Sequence, residues 1–213
     1  MTNPHIIVLP GGGYQVHAPH EAEPVADWLR EVGVDASVFR YPVQVRHPAP
    51  LLAIQDEIGR VRAAGADRVG LLGFSAGGHA AGLAALQSTS DDSRVDAAIL
   101  CYPVVSMQLE THAGSRETLI GLDASPELRE ATSLDRLVTT SAPPFFIWHT
   151  GEDSAVPVEH SYLLGQALAA HDIPHSLHVF PHGGHGLGFA EGAGTASVWR
   201  TLAADWLREL GWA

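Results

Sequence analysis

Val69-Gly70-Leu71-Leu72-Gly73-Phe74-Ser75-Ala76-Gly77-Gly78-His79 is the most informative stretch of this 213-residue chain. Its apolar start predicts a strand buried on both faces, and a helical pattern begins near Gly77. A serine between two glycines on a strand-to-helix turn is typical of a nucleophile elbow, whose tight turn lifts the hydroxyl clear of the sheet. The alternative is a glycine-rich turn that contains a serine without function. The context favours an α/β fold in which Ser75 is a nucleophile.

The same alternation of strand and helix patterns continues on both sides of this turn. Apolar runs predict strands at 5–9, 34–39, 69–72, 97–101, 145–149 and 176–180, and amphipathic patterns predict helices at 24–31, 50–64, 77–87, 159–170 and 195–210. Regular alternation implies right-handed crossovers and a parallel sheet covered by helices on both faces. We therefore predict a single three-layer α/β domain over residues 1–213.

One segment, 106–143, is too long for a simple connection. It contains two expected helix starts, Ser125-Pro126-Glu127 and Ser133-Leu134-Asp135, where a serine precedes the first helical residues. Long excursions in compact domains often form lids or pocket walls, but a surface decoration is equally compatible with the sequence.

Composition excludes several classes of protein. Hydrophobic residues make up 46% of the chain and charged residues 17%, so a large core is expected rather than disorder. The formal net charge of -12 argues against a nucleic-acid or anionic-membrane partner. A single cysteine, Cys101, excludes an internal disulfide framework. With no visible secretory signal and no apolar stretch of about 18 residues, we expect a soluble cytoplasmic protein.

A serine nucleophile needs a base beside it and a third group that orients the base. Two later predicted strands end directly before suitable residues: Glu152-Asp153 follows one, and His182-Gly183-Gly184-His185 follows the other. Serine, acid and histidine in this chain order are typical of α/β-hydrolase triads. Spacing alone leaves Glu152 or Asp153 as the acid and His182 or His185 as the base.

The loop after the first strand predicts an oxyanion hole. Gly11, Gly12 and Gly13 allow backbone N–H groups to approach a ligand, and the N–H of Ala76 lies at the start of the elbow helix. A phosphate-binding loop is disfavoured because the Gly-Lys-Ser/Thr ending is missing.

Other polar residues remain open or are discounted. His17, His20 and Glu21 follow the glycine loop and are candidates for either the pocket wall or the exposed surface. The chain has 13 histidines, but His178 lies inside a predicted strand and the neighbouring loop histidines are already explained by catalysis. We therefore expect neither a metal site nor a cofactor.

Taken together, these motifs resemble those of the α/β-hydrolase superfamily, and within it the small bacterial acetylxylan-esterase-like members. The shared motifs are a Gly-Gly-Gly-Tyr loop at 11–14, the elbow at 73–79, a Cys-Tyr-Pro-Val strand end at 101–104, and the segments around acid and histidine at 143–150 and 178–188. The resemblance implies that Asp153 is the acid and His185 the base. It also implies a reduced, six-stranded, mostly parallel sheet in the order 2-1-3-4-5-6 without a large cap.

The function that the resemblance implies is a serine carboxylic-ester hydrolase, which forms an acyl-enzyme and deacetylates small or carbohydrate esters such as acetylated oligosaccharides. We expect the substrate to contact Tyr14, Tyr102, Pro103 and Val104. The alternatives are an arylformamidase or a small peptidase with the same triad, and a binding protein on this fold, against which an intact triad argues. Without a large cap to build an acyl tunnel, we expect short acyl groups to be preferred.

Overall fold

The six strands of the computed structural model, which describes residues 3–109 and 111–213, form one sheet. They are β1 (Pro4–Leu9), β2 (Asp35–Val38), β3 (Arg68–Phe74), β4 (Ala97–Cys101), β5 (Phe145–Thr150) and β6 (His175–Phe180). Their order across the sheet is β2-β1-β3-β4-β5-β6, and every neighbouring pair is parallel. The predicted order and direction of the strands are confirmed.

Helices cover both faces of this sheet. They are α1 (Glu23–Glu31), α2 (Ala49–Ala63), α3 (Ala76–Leu86), α4 (Ala113–Ile120), α5 (Pro126–Ala131), α6 (Leu134–Leu137), α7 (Glu159–Ala170) and α8 (Trp199–Glu209). Helices α1 and α8 bury residues such as Leu29 and Leu207 in one apolar cluster. Helices α2 and α7 bury Ile54 and Leu164 in the other. Three layers result, and the central strands are apolar on both faces for that reason.

Helical structure near the C-terminus differs from the sequence expectation. The predicted helix at 195–210 begins as a 3-10 helix, Gly194–Val198, and the α-helical part starts only at Trp199. Further 3-10 helices span Pro19–Glu21 and Asp91–Ser93.

The long segment between β4 and β5 is a folded wall rather than a cap. Ser125 caps α5 by accepting a hydrogen bond from the N–H of Leu128, and Ser133 precedes α6, as predicted. The additional helix α4 was not predicted, because its N-cap is His112, a residue type that rarely signals a helix start. Leu134 packs so close to Gly82 that a Cβ there would lie 2.4 Å from the leucine Cδ1 atom. The segment is thus anchored on α3.

The order of the strands also determines where a ligand site belongs. Strand β1 lies between β2 and β3, so the connection from β1 leads to one side of it and all strands after β2 lie on the other side. Parallel sheets bind ligands beyond the carboxyl ends of the strands at such a point. The loops after β1 and β3, which carry Gly11–Gly13 and Ser75, flank it. Among the residues described, no helix has both the length and the apolar composition needed to cross a membrane.

Candidate active site

Ser75 stands on a strained turn between β3 and α3. Its backbone has φ 53° and ψ -116°, a conformation that non-glycine residues rarely adopt and that costs on the order of 1–3 kcal/mol. The glycines on either side make this turn possible, because a Cβ at Gly73 would lie 2.2 Å from the carbonyl oxygen of Gly77. A Cβ at Gly77 would lie 2.2 Å from the carbonyl oxygen of Leu9. The strand-to-helix turn predicted at Ser75 is therefore present in the structure, with the tight geometry of a nucleophile elbow.

The side chain of Ser75 begins a short hydrogen-bonded chain. Its Oγ lies 2.7 Å from Nε2 of His185, and Nδ1 of His185 lies 2.6 Å from Oδ2 of Asp153. A carboxylate can only accept, so Nδ1 carries the proton and Nε2 is left to accept from the serine hydroxyl. Asp153 is fully buried, whereas 22% of the His185 side chain is exposed. The arrangement has the geometry that general-base activation of a serine requires.

Asp153 is held by four donors. Its Oδ1 accepts from the N–H groups of Ala155 and Val156 at 3.0 and 2.9 Å. Its Oδ2 accepts from His185 and, at 3.2 Å, from Nε2 of His149. Burial alone would raise the pKa of this carboxyl, but the hydrogen bonds from His149, His185 and Val156 outweigh it and hold the pKa well below its usual range. The group is therefore a charged carboxylate at neutral pH.

His149 is a part of this arrangement that sequence reasoning missed. It is the residue before the last of β5, is fully buried, and donates from Nε2 to the carbonyl oxygen of Val156 as well as to Asp153. Because both of these partners can only accept, Nε2 carries the proton, and Nδ1 accepts from the hydroxyl of Ser161 at 2.7 Å. The available signal was a histidine at the end of the apolar run Phe145-Phe146-Ile147-Trp148.

The two rejected partners lie outside the site and contact each other. Nδ1 of His182 lies 3.0 Å from Oε1 of Glu152, and Oε2 of Glu152 accepts from the N–H of Gly183. The Gly183 N–H and His182 lower the pKa of the Glu152 carboxyl. Both side chains are exposed. Of the alternatives that spacing left open, the structure brings only Asp153 and His185 to Ser75.

A cavity of about 300 Å³ lies in front of Ser75. It is lined by Gly12, Gly13, Ala18, His20, Glu21, Ser75, His112, His185 and Gly186. Gly12 and Gly13 have φ of 129° and 67°, so only glycine fits the loop without strain. Among the described residues, no acceptor receives the N–H of Gly12 or Gly13. Ala76 begins α3, where N–H groups of the first turn have no partner within the helix. Both predicted halves of an oxyanion hole thus flank the serine.

The expectation that Tyr14, Tyr102, Pro103 and Val104 form the pocket wall is corrected by the structure. All of them are buried, and none lines the cavity. Burial of a tyrosine ring is favourable when its hydroxyl finds a hydrogen-bond partner inside the protein, and the hydroxyls of both tyrosines do. Val104 packs in the core, and Pro103 packs against Gly78 of the elbow helix. These residues support the site from behind.

Tyr14 belongs to a buried network behind the elbow. Its hydroxyl lies 2.7 Å from Nδ1 of His79, and Nε2 of His79 lies 2.7 Å from the carbonyl oxygen of Thr132. The carbonyl can only accept, so Nε2 donates to Thr132 and Nδ1 accepts from Tyr14. Burial lowers the pKa of His79 to about 4, and the imidazole is neutral. The network joins the glycine loop, α3 and the segment between β4 and β5.

The three open residues after the glycine loop have different positions. His20 and Glu21 line the cavity, whereas the ring of His17 packs edge-on against Tyr41 at a centroid distance of 4.9 Å. His112, the N-cap of α4, also lines the cavity. The long segment was a candidate pocket wall, but no sequence signal singled out this residue.

Known proteins with similar sequences include proteins named as a xylanase and as an acetylxylan esterase. The chain is 36% identical over 203 residues to endo-1,4-beta-xylanase B of Butyrivibrio fibrisolvens, a match that covers 85% of this chain and 32% of that protein. It is 29% identical over 201 residues to an acetylxylan esterase of Xylanibacter ruminicola, covering 86% of this chain and 41% of the relative. The chain thus spans about a third to two fifths of the length of these relatives.

Solved structures are similar over the whole chain. An acetyl ester-xyloside bifunctional hydrolase from Caldicellulosiruptor lactoaceticus superposes with a TM-score of 0.94 at 42% identity, covering 99% of this chain and 84% of that one. A carboxylesterase from Lactobacillus plantarum superposes with a TM-score of 0.86 at 29% identity, covering 99% and 87%. Residues 51–210 match the prolyl oligopeptidase family. With its parallel sheet and its serine elbow, this chain belongs to the prolyl oligopeptidase family of α/β hydrolases.

Proposed function

We propose that the chain is a serine carboxylic-ester hydrolase in which Ser75 is the nucleophile, His185 the general base and Asp153 the orienting acid. The observation that carries this proposal is the chain of contacts at 2.7 and 2.6 Å from Ser75 Oγ through His185 to Asp153, on an elbow that faces a cavity. Geometry of this kind recurs on unrelated folds wherever a serine is activated by an oriented histidine.

The reaction would proceed in two halves. In the first, Ser75 Oγ attacks the ester carbonyl while its proton passes to Nε2 of His185, which then protonates the departing alcohol and leaves an acyl-serine ester. In the second, His185 takes a proton from water, the hydroxide attacks the acyl carbon, and Ser75 regains its proton as the acid is released. Asp153 keeps the imidazole oriented and stabilises its charged form in both halves.

The negative oxygen of each tetrahedral intermediate needs donors. The N–H of Ala76 on one side and that of Gly12 or Gly13 on the other would supply them. Such preorganised donors contribute about 3 kcal/mol each to lowering the barrier in serine hydrolases.

We assign short acyl groups, acetyl above all, and a carbohydrate alcohol as the substrate class. The relatives support this assignment, since two of them are named for acetylxylan and for an acetyl ester-xyloside. The cavity volume of about 300 Å³ and the wall formed by α4, α5 and α6 also support it, because among the described residues neither forms a long apolar tunnel. A buried methylene contributes roughly 0.8 kcal/mol only where a pocket receives it.

The decisive experiment is a series of p-nitrophenyl esters from acetate to octanoate, with kcat/KM measured for the wild type. We expect the highest value for acetate and a decline that begins near butyrate. A maximum at octanoate would disprove the short-acyl assignment. A parallel panel of acetylated xylo-oligosaccharides, N-formylkynurenine and aminoacyl amides separates the esterase from an arylformamidase and from a peptidase. Ser75→Ala serves as the inactive control in every assay.

A further inference from the structure

The wall of the active-site cavity contains a buried carboxylate, Glu21, whose role the reaction above does not explain. Only 2% of Glu21 is exposed. Its Oε2 accepts from the N–H of Gly11 at 2.8 Å, and its Oε1 accepts from the hydroxyl of Tyr102 at 2.6 Å. The Tyr102 hydroxyl in turn accepts from the N–H of Gly188 at 2.7 Å. Because N–H groups only donate and carboxylates only accept, each hydrogen in this chain has one possible direction.

The hydrogen-bonded chain connects the glycine loop after β1 with the loop that carries His185. Gly11 directly precedes Gly12 and Gly13, which line the cavity, and Gly188 follows His185 on the same loop. Tyr102 also packs its ring edge-on against the imidazole of His185, with centroids 5.2 Å apart. At the other end, a Cβ on Gly11 would lie 2.6 Å from Oε2 of Glu21 and 3.2 Å from Cβ of Ser75. Glu21 therefore lies next to the nucleophile.

A second contact between the same two loops runs in parallel. Nε2 of His20 lies 3.0 Å from the carbonyl oxygen of Gly186, on the exposed side of the cavity. This outer contact is accessible to water, whereas the path through Glu21 and Tyr102 is buried, so we expect the inner path to determine the separation of the loops. Charge-assisted hydrogen bonds in buried surroundings are stronger than exposed neutral ones.

We propose that Glu21, acting through Tyr102, is a positioning residue that holds the glycine loop and the His185 loop at the separation needed in the transition state. This inference rests on the proposed function, since it concerns how that site is kept in register. An error of about 1 Å in such positioning costs about 100-fold in rate. Substrate binding before reaction does not require the same precision, so the loss belongs to kcat.

Two conservative variants test the proposal. Glu21→Gln keeps the shape but replaces one acceptor with a donor, so that either the Gly11 N–H or the Tyr102 hydroxyl hydrogen loses its acceptor. Tyr102→Phe removes the middle of the chain without touching the carboxylate. The matched controls are Glu23→Gln, an exposed glutamate that pairs with Arg40, and Tyr162→Phe, an exposed tyrosine on α7.

We expect each test variant to lower kcat on p-nitrophenyl acetate about 10- to 100-fold with KM unchanged, the result of losing an interaction made in the transition state. The double variant should be no more than about threefold slower than the slower single variant, since both substitutions break one chain. The two controls should retain wild-type kinetics.

Three results would overturn the proposal. A raised KM at constant kcat would mean that Glu21 binds substrate, fully additive losses would mean independent roles, and an active Tyr102→Phe would remove the connection between the loops. Should Glu21→Gln fail to fold, Tyr102→Phe alone decides.

The rate at which a fluorophosphonate labels Ser75 separates this proposal from the esterase assignment. A wild type that is labelled rapidly but cleaves no ester would disprove the ester assignment alone, and slower labelling of the variants would still support positioning. A wild type that is not labelled would disprove both.

Discussion

Two acid–histidine pairs lie on the same two loops, and only one of them reaches the nucleophile. Asp153 and His185 are 2.6 Å apart, with the carboxylate fully buried. Glu152 and His182 are 3.0 Å apart, but 58% and 76% of their side chains are exposed. Both pairs combine a carboxylate with an imidazole after β5 and β6. Their difference lies in what surrounds the contact.

Surroundings decide the role because they decide how firmly the pair is held. Water and salt weaken an exposed pair, whose long side chains also lose entropy when they are fixed in one geometry. The carboxylate of Asp153 is shielded from water, and four donors hold its oxygens at defined positions. A histidine held by such a group can orient a serine, whereas a contact of similar length at the surface cannot.

The largest contrast is expected between the two histidines. His185→Ala and Ser75→Ala should each lower kcat by about a million-fold, and the double variant should be no worse, because triad members act as a unit. His182→Ala should stay within about threefold of the wild type, since its exposed ring is paired with Glu152 and not with Ser75. Steady-state kinetics on p-nitrophenyl acetate give all four values. Near-native turnover by Ser75→Ala would refute the mechanism.

The acids should differ almost as much. Asp153→Asn is expected to lower kcat about 10,000-fold, because a carboxamide can donate to Nδ1 and favour the wrong imidazole tautomer. Glu152→Gln should change kcat by less than about threefold, as its oxygens face solvent and the loop of Gly183. The same assay at pH 7 compares them. A reversed order would shift the acid by one residue along the loop.

A smaller effect is expected from His149, which supports the acid. His149→Leu removes one hydrogen bond to the charged Asp153 and should lower kcat about tenfold. His149→Gln, which can still place a donor near the carboxylate, is the matched variant and should recover at least half of the wild-type kcat. Equal losses in both variants would show that ring packing, and not the donor, supports Asp153.

His79 shows how burial changes the pKa of a histidine that is hydrogen-bonded to a tyrosine and a carbonyl group instead of a carboxylate. Its pKa is about 4 in the folded protein and ordinarily 6.5, so between these pH values the unfolded chain binds a proton that the folded protein does not. The contribution of His79 to the free energy of unfolding is therefore fully present above pH 6.5 and falls by about 3 kcal/mol as the pH drops to 4. Urea denaturation at several pH values should show this slope.

His79→Gln should flatten the slope, whereas His182→Gln, a substitution at an exposed histidine, should leave it unchanged. An identical slope in His79→Gln would assign the acid sensitivity to other groups.

Parts of the site could be predicted because they depend on neighbours in sequence. The elbow at Ser75 follows from two glycines and an adjoining strand, and the glycine loop follows directly from β1. The choice between Glu152 and Asp153 could not be predicted from spacing, because it depends on which carboxylate turns toward the N–H groups of Ala155 and Val156. The wall positions of His112 and Glu21 depend on segments that are distant in sequence.

The amino-acid sequence alone determines the alternation of buried strands and amphipathic helices, since each depends on the local spacing of apolar residues. Glycines mark turns that other residues adopt only under strain. Packing among distant segments decides the rest. Tyr14 and Tyr102 looked like pocket residues from their place beside the motifs, yet both turn inward because their rings gain free energy by burial and their hydroxyls find His79 and Glu21 there. Such partners, like the donors around Asp153, meet only after the sheet has brought the ends of β1, β3, β4, β5 and β6 to one edge.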